Sequence, residues 1–280
     1  MKPTTVINSV KKQLNWFYRM RTSYSRVLPG LIIIGAQKAG TTSLFYYLSQ
    51  NPQLIPSIKK EIHYFDGGLD PDRDDFLRGE AWYKAHFPQK NEIRASNLTF
   101  EATPSYLFHP QVPKRIYDLL PNVKMIALLR NPTERAISQY FHDTRKNREI
   151  LPILDAFKVE EERLESIIKN REFKNSAFFR YSYKLRGHYY EQINRYFKYF
   201  DRSNLLILSS EYFFDHTFNA LEKIFDFLGV ESNLSQYDLE PKHVSKNKIK
   251  VSDEVYQYLN DYFLPHNKKL YELLGENYYW

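Results

Sequence analysis

The sequence predicts an α/β fold with three layers, in which helices cover both faces of a central parallel β-sheet. Two observations lead to this fold class. The 280 residues are 42% hydrophobic and 26% charged, a composition typical of a folded globular protein. Four short apolar segments lead into turn residues or helical patterns, and strands that alternate with helices form parallel sheets that are covered on both faces.

The four predicted strands are spread along the chain. They are Leu31–Ile34, Asn97–Thr103, Val123–Leu129 and Asn204–Ser209. The helices predicted after the first, third and fourth strands span about 43–49, 133–142 and 218–228. Ligands of such sheets bind beyond the carboxyl ends of the strands, so we expect functional residues directly after these strands.

Two further segments divide the chain. Residues 1–28 form an N-terminal arm, and residues 29–280 are expected to form a single domain. Within the domain, residues from about 143 to 184 are rich in Arg, Lys and Glu and have a helical pattern, which predicts a helical insertion. A solvated helix pair is the simpler interpretation of this insertion, and a lid that faces the substrate is the alternative.

The arm is basic and has an apolar face. Residues 1–60 contain nine of the 40 Lys and Arg and none of the 33 Asp and Glu, which indicates an anionic partner. Two interpretations of its apolar face are open: an amphipathic helix on an anionic membrane, and packing against the domain itself. No nucleic-acid-binding signature is present, which argues against nucleic acid as a partner. The face consists of Val6, Val10, Leu14 and Phe17.

The absence of cysteine excludes disulfides, iron–sulfur clusters and thiolate zinc sites. The N-terminus lacks the apolar core of a secretory signal, and no apolar run has the length of a transmembrane helix. We therefore expect a cytoplasmic protein, with peripheral contact at the inner face of a membrane if the arm binds lipid.

A loop framed by two glycines between the first strand and its helix is the clearest functional signal. Gly35 and Gly40 bracket the loop, and glycine lets the backbone turn its N–H groups toward an anion. The helix N-terminus adds N–H donors and positive potential, and Thr41 and Thr42 add hydroxyl donors. The pattern predicts a P-loop-like phosphate site.

This loop departs from the nucleoside-triphosphate motif G-x-x-x-x-G-K-[ST]. Thr41 occupies the position of the motif's lysine, and the cation of the loop is Lys38. The third strand ends at Arg130, and no predicted strand ends in an Asp that would help to hold magnesium. The site is therefore expected to neutralise phosphate with protein cations and no metal, with a P-loop kinase as the alternative.

Two stretches resemble the donor-binding motifs of sulfotransferases that use 3′-phosphoadenosine 5′-phosphosulfate (PAPS). GAQKAGTTSL is similar to the 5′-phosphosulfate loop, and LLRNPTERAISQY is similar to the 3′-phosphate motif. The resemblance implies that Arg130 and Ser138 hold the 3′-phosphate and that Lys38 offsets charge on the leaving phosphate. The donor-binding residues that the resemblance implies, including a C-terminal nucleotide loop, are Gln37, Lys38, Ala39, Gly40, Thr41, Thr42, Ser43, Arg130, Ser138, Lys246, Asn247 and Lys248.

A third stretch, PSIKKEIHYFD, is similar to the K-E-x-H-[FY]-F-D signature of the heparan sulfate O- and N-sulfotransferase group. The resemblance implies that Glu61 is the general base and His63 a further catalytic residue, with Lys60 and Asp66 in contact with the acceptor. A carboxylate among lysines is expected to stay ionised, so that it can accept a proton.

The resemblance covers roughly residues 29–280 and implies an enzyme that transfers a sulfuryl group from PAPS to a hydroxyl or amine, with PAP as the product and no metal. The third stretch indicates a glycan or glycolipid acceptor, and a small-molecule alcohol or phenol is the alternative. A non-catalytic basic module that binds membrane through residues 1–28 is a further alternative.

Overall fold

The computed structural model describes residues 3–231, 233–242 and 250–280, and its centre is a five-stranded parallel β-sheet. The strands lie in the order β2-β3-β1-β4-β5, and helices flank the sheet, which confirms the predicted fold class. The strands are β1 (Leu31–Gly35), β2 (Leu54–Pro56), β3 (Leu98–Ala102), β4 (Lys124–Leu129) and β5 (Leu205–Ser209).

Apolar runs account for the central strands. All five residues of β1 are buried, as expected for a strand with helices over both faces of its sheet. Parallel pairing places Ile33 of β1 beside Ala102 of β3 and Ile126 of β4. The sequence pattern does not predict β2, which has three residues, lies at the sheet edge and ends at Pro56. Proline has no N–H to donate, so an edge is where a sheet tolerates it.

Twelve α-helices lie within the described residues. The three helices predicted from the sequence correspond to α2, α5 and α11, with ends that differ by at most two residues. The helices are α1 (Pro3–Arg21), α2 (Thr41–Leu48), α3 (Gly79–Lys84), α4 (Val112–Leu119), α5 (Pro132–Thr144), α6 (Ile153–Lys158), α7 (Glu160–Lys169), α8 (Ser176–Tyr181), α9 (Tyr189–Phe197), α10 (Ser210–Asp215), α11 (Thr217–Leu228) and α12 (Asp253–Leu274).

Side-chain capping explains where α5 begins. Asn131 Oδ1 accepts hydrogen bonds from the N–H groups of Thr133 and Glu134 at 3.0 and 3.3 Å, and Pro132 occupies the first helical turn, where its missing N–H costs nothing. The chain therefore passes from β4 into α5 within a few residues, and Arg130 lies in that short connection.

The charged insertion contains α6, α7 and α8, one helix more than the predicted pair. Its far end is tied back to α7 by a buried carboxylate. Glu160 accepts hydrogen bonds from the N–H groups of Lys184 and Leu185 at 2.6 and 2.8 Å. These bonds satisfy backbone donors that would otherwise be buried without partners, and they fix the point at which the insertion rejoins the domain.

The N-terminal arm forms α1, and one face of this helix packs on α3. Trp16 lies edge-on to Trp82 with ring centroids 6.1 Å apart, and Arg19 donates to the carbonyl oxygens of Ala85 and Phe87 at 2.5 and 2.7 Å. The arm therefore packs on the domain through a face other than the predicted apolar one, of which Leu14 and Phe17 are exposed. Among the described residues, no helix combines the length and the hydropathy needed to cross a membrane.

The strand order places two connecting segments side by side. β1 and β4 are neighbours, but the chain leaves β1 toward β3 and β2 on one side of the sheet and leaves β4 toward β5 on the other. In parallel sheets, such a reversal opens a crevice beyond the carboxyl ends of the two strands, where ligands bind. The loop after β1 and Arg130 after β4 both lie at this crevice.

Candidate active site

The phosphate loop, residues 36–40, joins β1 to α2 through an unusual backbone conformation. Gly40 has a φ angle of 94°, and a Cβ atom there would lie 2.7 Å from the ring of Phe214, so the position requires glycine. Lys38 has a φ angle of 73°, in the left-handed region that non-glycine residues seldom adopt. Strained residues of this kind cluster at functional sites, which supports a functional role for the loop.

The two donor-binding motifs meet at a hydrogen bond. Arg130 Nη1 donates to the carbonyl oxygen of Lys38 at 3.2 Å, and Arg130 Nη2 lies 3.3 Å from Glu134 Oε2. The hydroxyl of Tyr189 donates to the carbonyl oxygen of Arg130 at 2.9 Å. Ser138 lies half-buried on α5, two turns beyond Arg130. The structure therefore brings together the loop after β1 and the arginine after β4.

Positive charge is concentrated around Lys38. Burial, followed by the charges of Arg145 and Arg130, lowers the pKa of Lys38. Burial and the charge of Lys38 lower the pKa of His142 to about 4. Gln37 Oε1 is buried and has no hydrogen-bond partner among the described residues. Excess positive charge fits a site whose ligand is an anion, and the unpartnered Gln37 oxygen can accept a hydrogen bond from a hydroxyl or amine of a ligand.

Other residues of the predicted donor site hold the loop in place. The carbonyl oxygen of Ala39 accepts a hydrogen bond from the hydroxyl of Ser210 at 2.9 Å, and Ser43 Oγ accepts one from the N–H of Lys242 at 2.9 Å. The first turn of α2, directly after the loop, contains Thr41 and Thr42. The predicted nucleotide contacts that lie outside the described residues are Lys246, Asn247 and Lys248.

The stretch PSIKKEIHYFD forms a chain of polar contacts with one buried and one accessible end. Lys60 Nζ lies 2.7 Å from Glu61 Oε1, and Glu61 Oε2 lies 3.8 Å from His63 Nε2. His63 Nδ1 lies 2.8 Å from Asp66 Oδ2, which also accepts a hydrogen bond from Ser105 Oγ at 2.5 Å. Asp66 is fully buried, whereas the side chain of Glu61 is 44% exposed. Glu61 is thus the accessible end of the chain, and Asp66 anchors the other end.

Alternating charges fix the protonation states along this chain. The His63 ring, whose Nε2 lies 3.8 Å from the carboxylate, lowers the pKa of Glu61 to about 2, against the effect of burial and with help from Lys60. Burial alone would lower the pKa of His63, but the Asp66 carboxylate raises it to about 9. Burial likewise opposes the charge of Asp66, and His63 lowers its pKa to about 2. At neutral pH, both carboxylates are anionic and His63 is cationic.

The backbone of the same stretch adopts strained conformations at the two predicted catalytic positions. Glu61 and His63 each have a φ angle of 61°, although neither is glycine. The hydroxyl of Tyr106 accepts hydrogen bonds from the N–H groups of Tyr64 and Phe65 at 2.9 and 3.3 Å. Tyr106 therefore holds the backbone just after His63 and helps to keep this conformation.

One pocket joins the phosphate loop to Glu61 and His63. Part of its wall comes from the insertion, which therefore faces the pocket. Residues after Asp66 and after β3 complete the wall. Its lining includes Gln37, Glu61, His63, Leu69, Ser105, His142, Arg148, Phe179, Arg180 and Arg186.

The arginines of this pocket were not predicted from the sequence. They come from the insertion and its border, which lie outside the three stretches that resemble sulfotransferase motifs. Arg186 is the most buried of them, with 3% of its surface exposed. Its Nη2 donates to the carbonyl oxygen of Phe179 at 3.2 Å, and its Nε has no partner among the described residues. Burial and the charge of Arg135 lower the pKa of Arg186 to about 9, so at neutral pH it remains a cation with donors to spare.

Comparisons with known sequences identify sulfotransferases as relatives of this chain. A family model described as a sulfotransferase domain matches residues 28–265. The membrane-associated sulfotransferase kil1 of Dictyostelium discoideum is 27% identical over 322 residues, which cover 90% of this chain and 66% of that protein. Heparan sulfate glucosamine 3-O-sulfotransferase 6 of Mus musculus is 26% identical over 277 residues, which cover 91% of this chain and 74% of that protein. The chain thus spans 66 to 74% of the length of these two relatives.

A solved structure shares the fold. The crystal structure of a sulfotransferase from Alicyclobacillus acidocaldarius has a TM-score of 0.70 to this chain at 27% identity. The match covers 90% of this chain and 97% of the other.

The charge of His63 depends on its buried partner, which an Asp66→Asn substitution tests. Without the carboxylate, the effect of burial prevails, and the pKa of His63 should fall from about 9 to its ordinary value of 6.5 or below. An NMR titration of the His63 ring measures this pKa. Asp118→Asn removes an exposed carboxylate that pairs with Lys114 and should leave it unchanged. A folded Asp66→Asn variant in which His63 still titrates near 9 would contradict the assignment.

Proposed function

The chain belongs to the sulfotransferase domain family, and we propose that it transfers the sulfuryl group of PAPS to a hydroxyl or an amine of an acidic saccharide. One observation carries this proposal. A single pocket joins the phosphate loop, an ionised and accessible Glu61, and a wall with three arginines. Such a pocket can bind an activated anionic donor, accept a proton from the acceptor, and attract negative groups on that acceptor.

The crevice between β1 and β4 is the proposed donor site. PAPS brings the activated sulfuryl group, and this chain contributes the groups that would bind its two ends. Lys38 and the N–H groups of the phosphate loop would hold the 5′-phosphosulfate. Arg130 and Ser138 would hold the 3′-phosphate, which ATP lacks. The crowded charges of Lys38 and Arg130 support this assignment, because a bound anion relieves their mutual repulsion.

Glu61 is the proposed general base. Its carboxylate is ionised at neutral pH, reaches the pocket, and is held from both sides by Lys60 and His63. Its low pKa makes it a weak base, so proton transfer to Glu61 becomes favourable only late in the reaction, when the acceptor hydroxyl has become acidic. The proposed role of Asp66 is to position His63 and to keep it charged. The buried position of Asp66, in contact with His63, supports this role.

The arginines support an acidic acceptor. Arg148, Arg180 and Arg186 line the pocket, and Arg186 has a buried donor without a partner among the described residues. Guanidinium groups recognise carboxylates and sulfates through paired hydrogen bonds. The name of one relative refers to heparan sulfate glucosamine, an acidic saccharide, which agrees with this reading. Asp143 also lines the pocket and lies 3.9 Å from Arg148, and a small neutral alcohol or phenol would add no anionic partner for the three arginines.

A Glu61→Gln variant tests the base. The amide keeps the size of the side chain but cannot accept the proton, so transfer of labelled sulfate from PAPS to an acidic glycan should fall by about 10²–10⁴-fold. The affinity for PAP, measured by calorimetry, should stay nearly unchanged, because Glu61 lies on the acceptor side. Glu80→Gln is the matched control: Glu80 forms an ion pair with Lys84 on α3 and should be dispensable.

Two outcomes would count against this proposal. Near-normal turnover by Glu61→Gln would remove Glu61 from the role of base. Transfer to small phenols, with none to any acidic glycan in a panel, would replace the saccharide with the small-molecule acceptor.

We also propose that α1 contacts an anionic membrane surface. The face of α1 that does not pack on α3 exposes apolar side chains, with Leu14 63% and Phe17 58% exposed. Exposed lysines at positions 11 and 12 and an arginine at position 21 lie on the same helix, and residues 1–60 contain no acidic residue to offset them. Apolar side chains flanked by cations are the combination that binds anionic lipid surfaces. One relative is named as membrane-associated.

Vesicle sedimentation tests the membrane contact. The protein should pellet with vesicles of phosphatidylcholine and phosphatidylserine, and less with phosphatidylcholine alone, because both apolar insertion and charge contribute. A Leu14→Ser, Phe17→Ser double variant should lose binding. Leu77→Ser is the control, since Leu77 is 81% exposed but lies outside α1. Equal binding by the double variant and the control would refute the assignment to α1.

A further inference from the structure

Three side chains with metal-binding atoms meet where α9 and α12 pack together, outside the pocket described above. His188 precedes α9, Glu191 lies in its first turn, and His266 lies on α12. One ligand atom from each of the three residues lies within 4.8 Å of the other two. The spacing of three residues places His188 and Glu191 on one side of the chain, and His266 faces them from the other helix.

The polar atoms of this cluster are poorly satisfied. Glu191 Oε2 and His266 Nδ1 are both buried, and neither has a hydrogen-bond partner among the described residues. The closest approach between these two side chains is 3.8 Å, from His266 Nδ1 to Glu191 Oε1, which is longer than a hydrogen bond. Buried atoms of this kind normally have a partner, and a metal ion that accepts their lone pairs would satisfy both.

Neighbouring residues suit a cation at this position. The hydroxyl of Tyr262 lies 2.9 Å from His188 Nε2 and orients its ring, and a fixed ring orientation is a feature of metal-binding histidines. The cation of Lys184 lies over the Tyr262 ring at 4.5 Å, but it forms an ion pair with Glu161 at 2.6 Å. Its charge is therefore offset and does not prevent a divalent ion from binding nearby.

We propose that His188, Glu191 and His266 bind a Zn²⁺ ion that joins α9 to α12. Two imidazoles and one carboxylate are a donor set that zinc prefers, and water can complete a tetrahedral site. The rings of His188 and His266 are stacked with centroids 3.9 Å apart. Two parallel rings cannot direct lone pairs at one ion, so binding requires the His266 ring to rotate out of the stack.

A metal at this position would act on the framework of the donor site and not on the sulfuryl group. His188 is followed by Tyr189, whose hydroxyl bonds to the carbonyl oxygen of Arg130. From the other helix, Asn260 of α12 accepts a hydrogen bond from Thr133 of α5 at 2.7 Å. Both helices that the ion would join therefore contact the segment that carries Arg130, and the ion should stabilise that segment.

Zinc titration of the full chain, freed of metal with EDTA, tests the proposal. The wild-type protein should bind one Zn²⁺ at this site and melt at a higher temperature with zinc than without it. Glu191→Gln keeps the shape of the side chain but removes the anionic ligand, and it should weaken this binding by about tenfold or more and abolish the rise in melting temperature. His266→Ala should have the same effect. His216→Ala removes an exposed histidine between α10 and α11 and serves as the control.

Co²⁺ gives a second measurement that does not depend on stability. The wild-type protein with Co²⁺ should show the visible absorption bands of a tetrahedral site, and Glu191→Gln should lose them. Absence of stoichiometric zinc binding by the wild-type protein would overturn the proposal. Equal zinc affinity in the wild type, Glu191→Gln and His266→Ala would overturn it as well, because the ion would then be bound elsewhere.

Discussion

The hydrogen bond from Arg130 to the carbonyl oxygen of Lys38 is the contact on which the candidate site depends. It exists because β1 and β4 are neighbours whose connections leave the sheet in opposite directions. Lys38 is partly buried at this contact, and burial, followed by the charges of Arg145 and Arg130, lowers its pKa. Like charges held together by the fold favour a ligand with several negative charges, and that requirement links the topology of the sheet to the chemistry of the family.

Much of the fold can be predicted from the sequence, because buried parallel strands are continuous apolar runs. Leu31–Gly35 and Lys124–Leu129 are such runs, and the Asn131-Pro132 signal marks the helix that follows the second. β2 could not be predicted, since three residues at an edge that end in proline have no period to detect. The number of helices in the insertion also escaped prediction, because a continuous charged helical pattern does not show where turns interrupt it.

The site was predictable where it is local in sequence. Glu61 and His63 come from one short stretch, and their contact follows from their spacing and the turn that their positive φ angles create. Arg186 could not be predicted, because its position in the pocket results from how the insertion folds back over the sheet. The cluster of His188, Glu191 and His266 was hidden for the same reason: two of its members lie at the start of α9, but the third is brought to them only by the packing of α12 on α9.

The proposed donor site can be tested with a crystal structure of the protein with PAP, grown in the presence of EDTA. We expect the 5′-phosphate on the phosphate loop beside Lys38 and the 3′-phosphate in contact with Arg130 and Ser138, with no metal between them. An empty crevice between β1 and β4 at saturating PAP would rule out this donor site. So would a nucleotide whose 3′-phosphate lies away from Arg130.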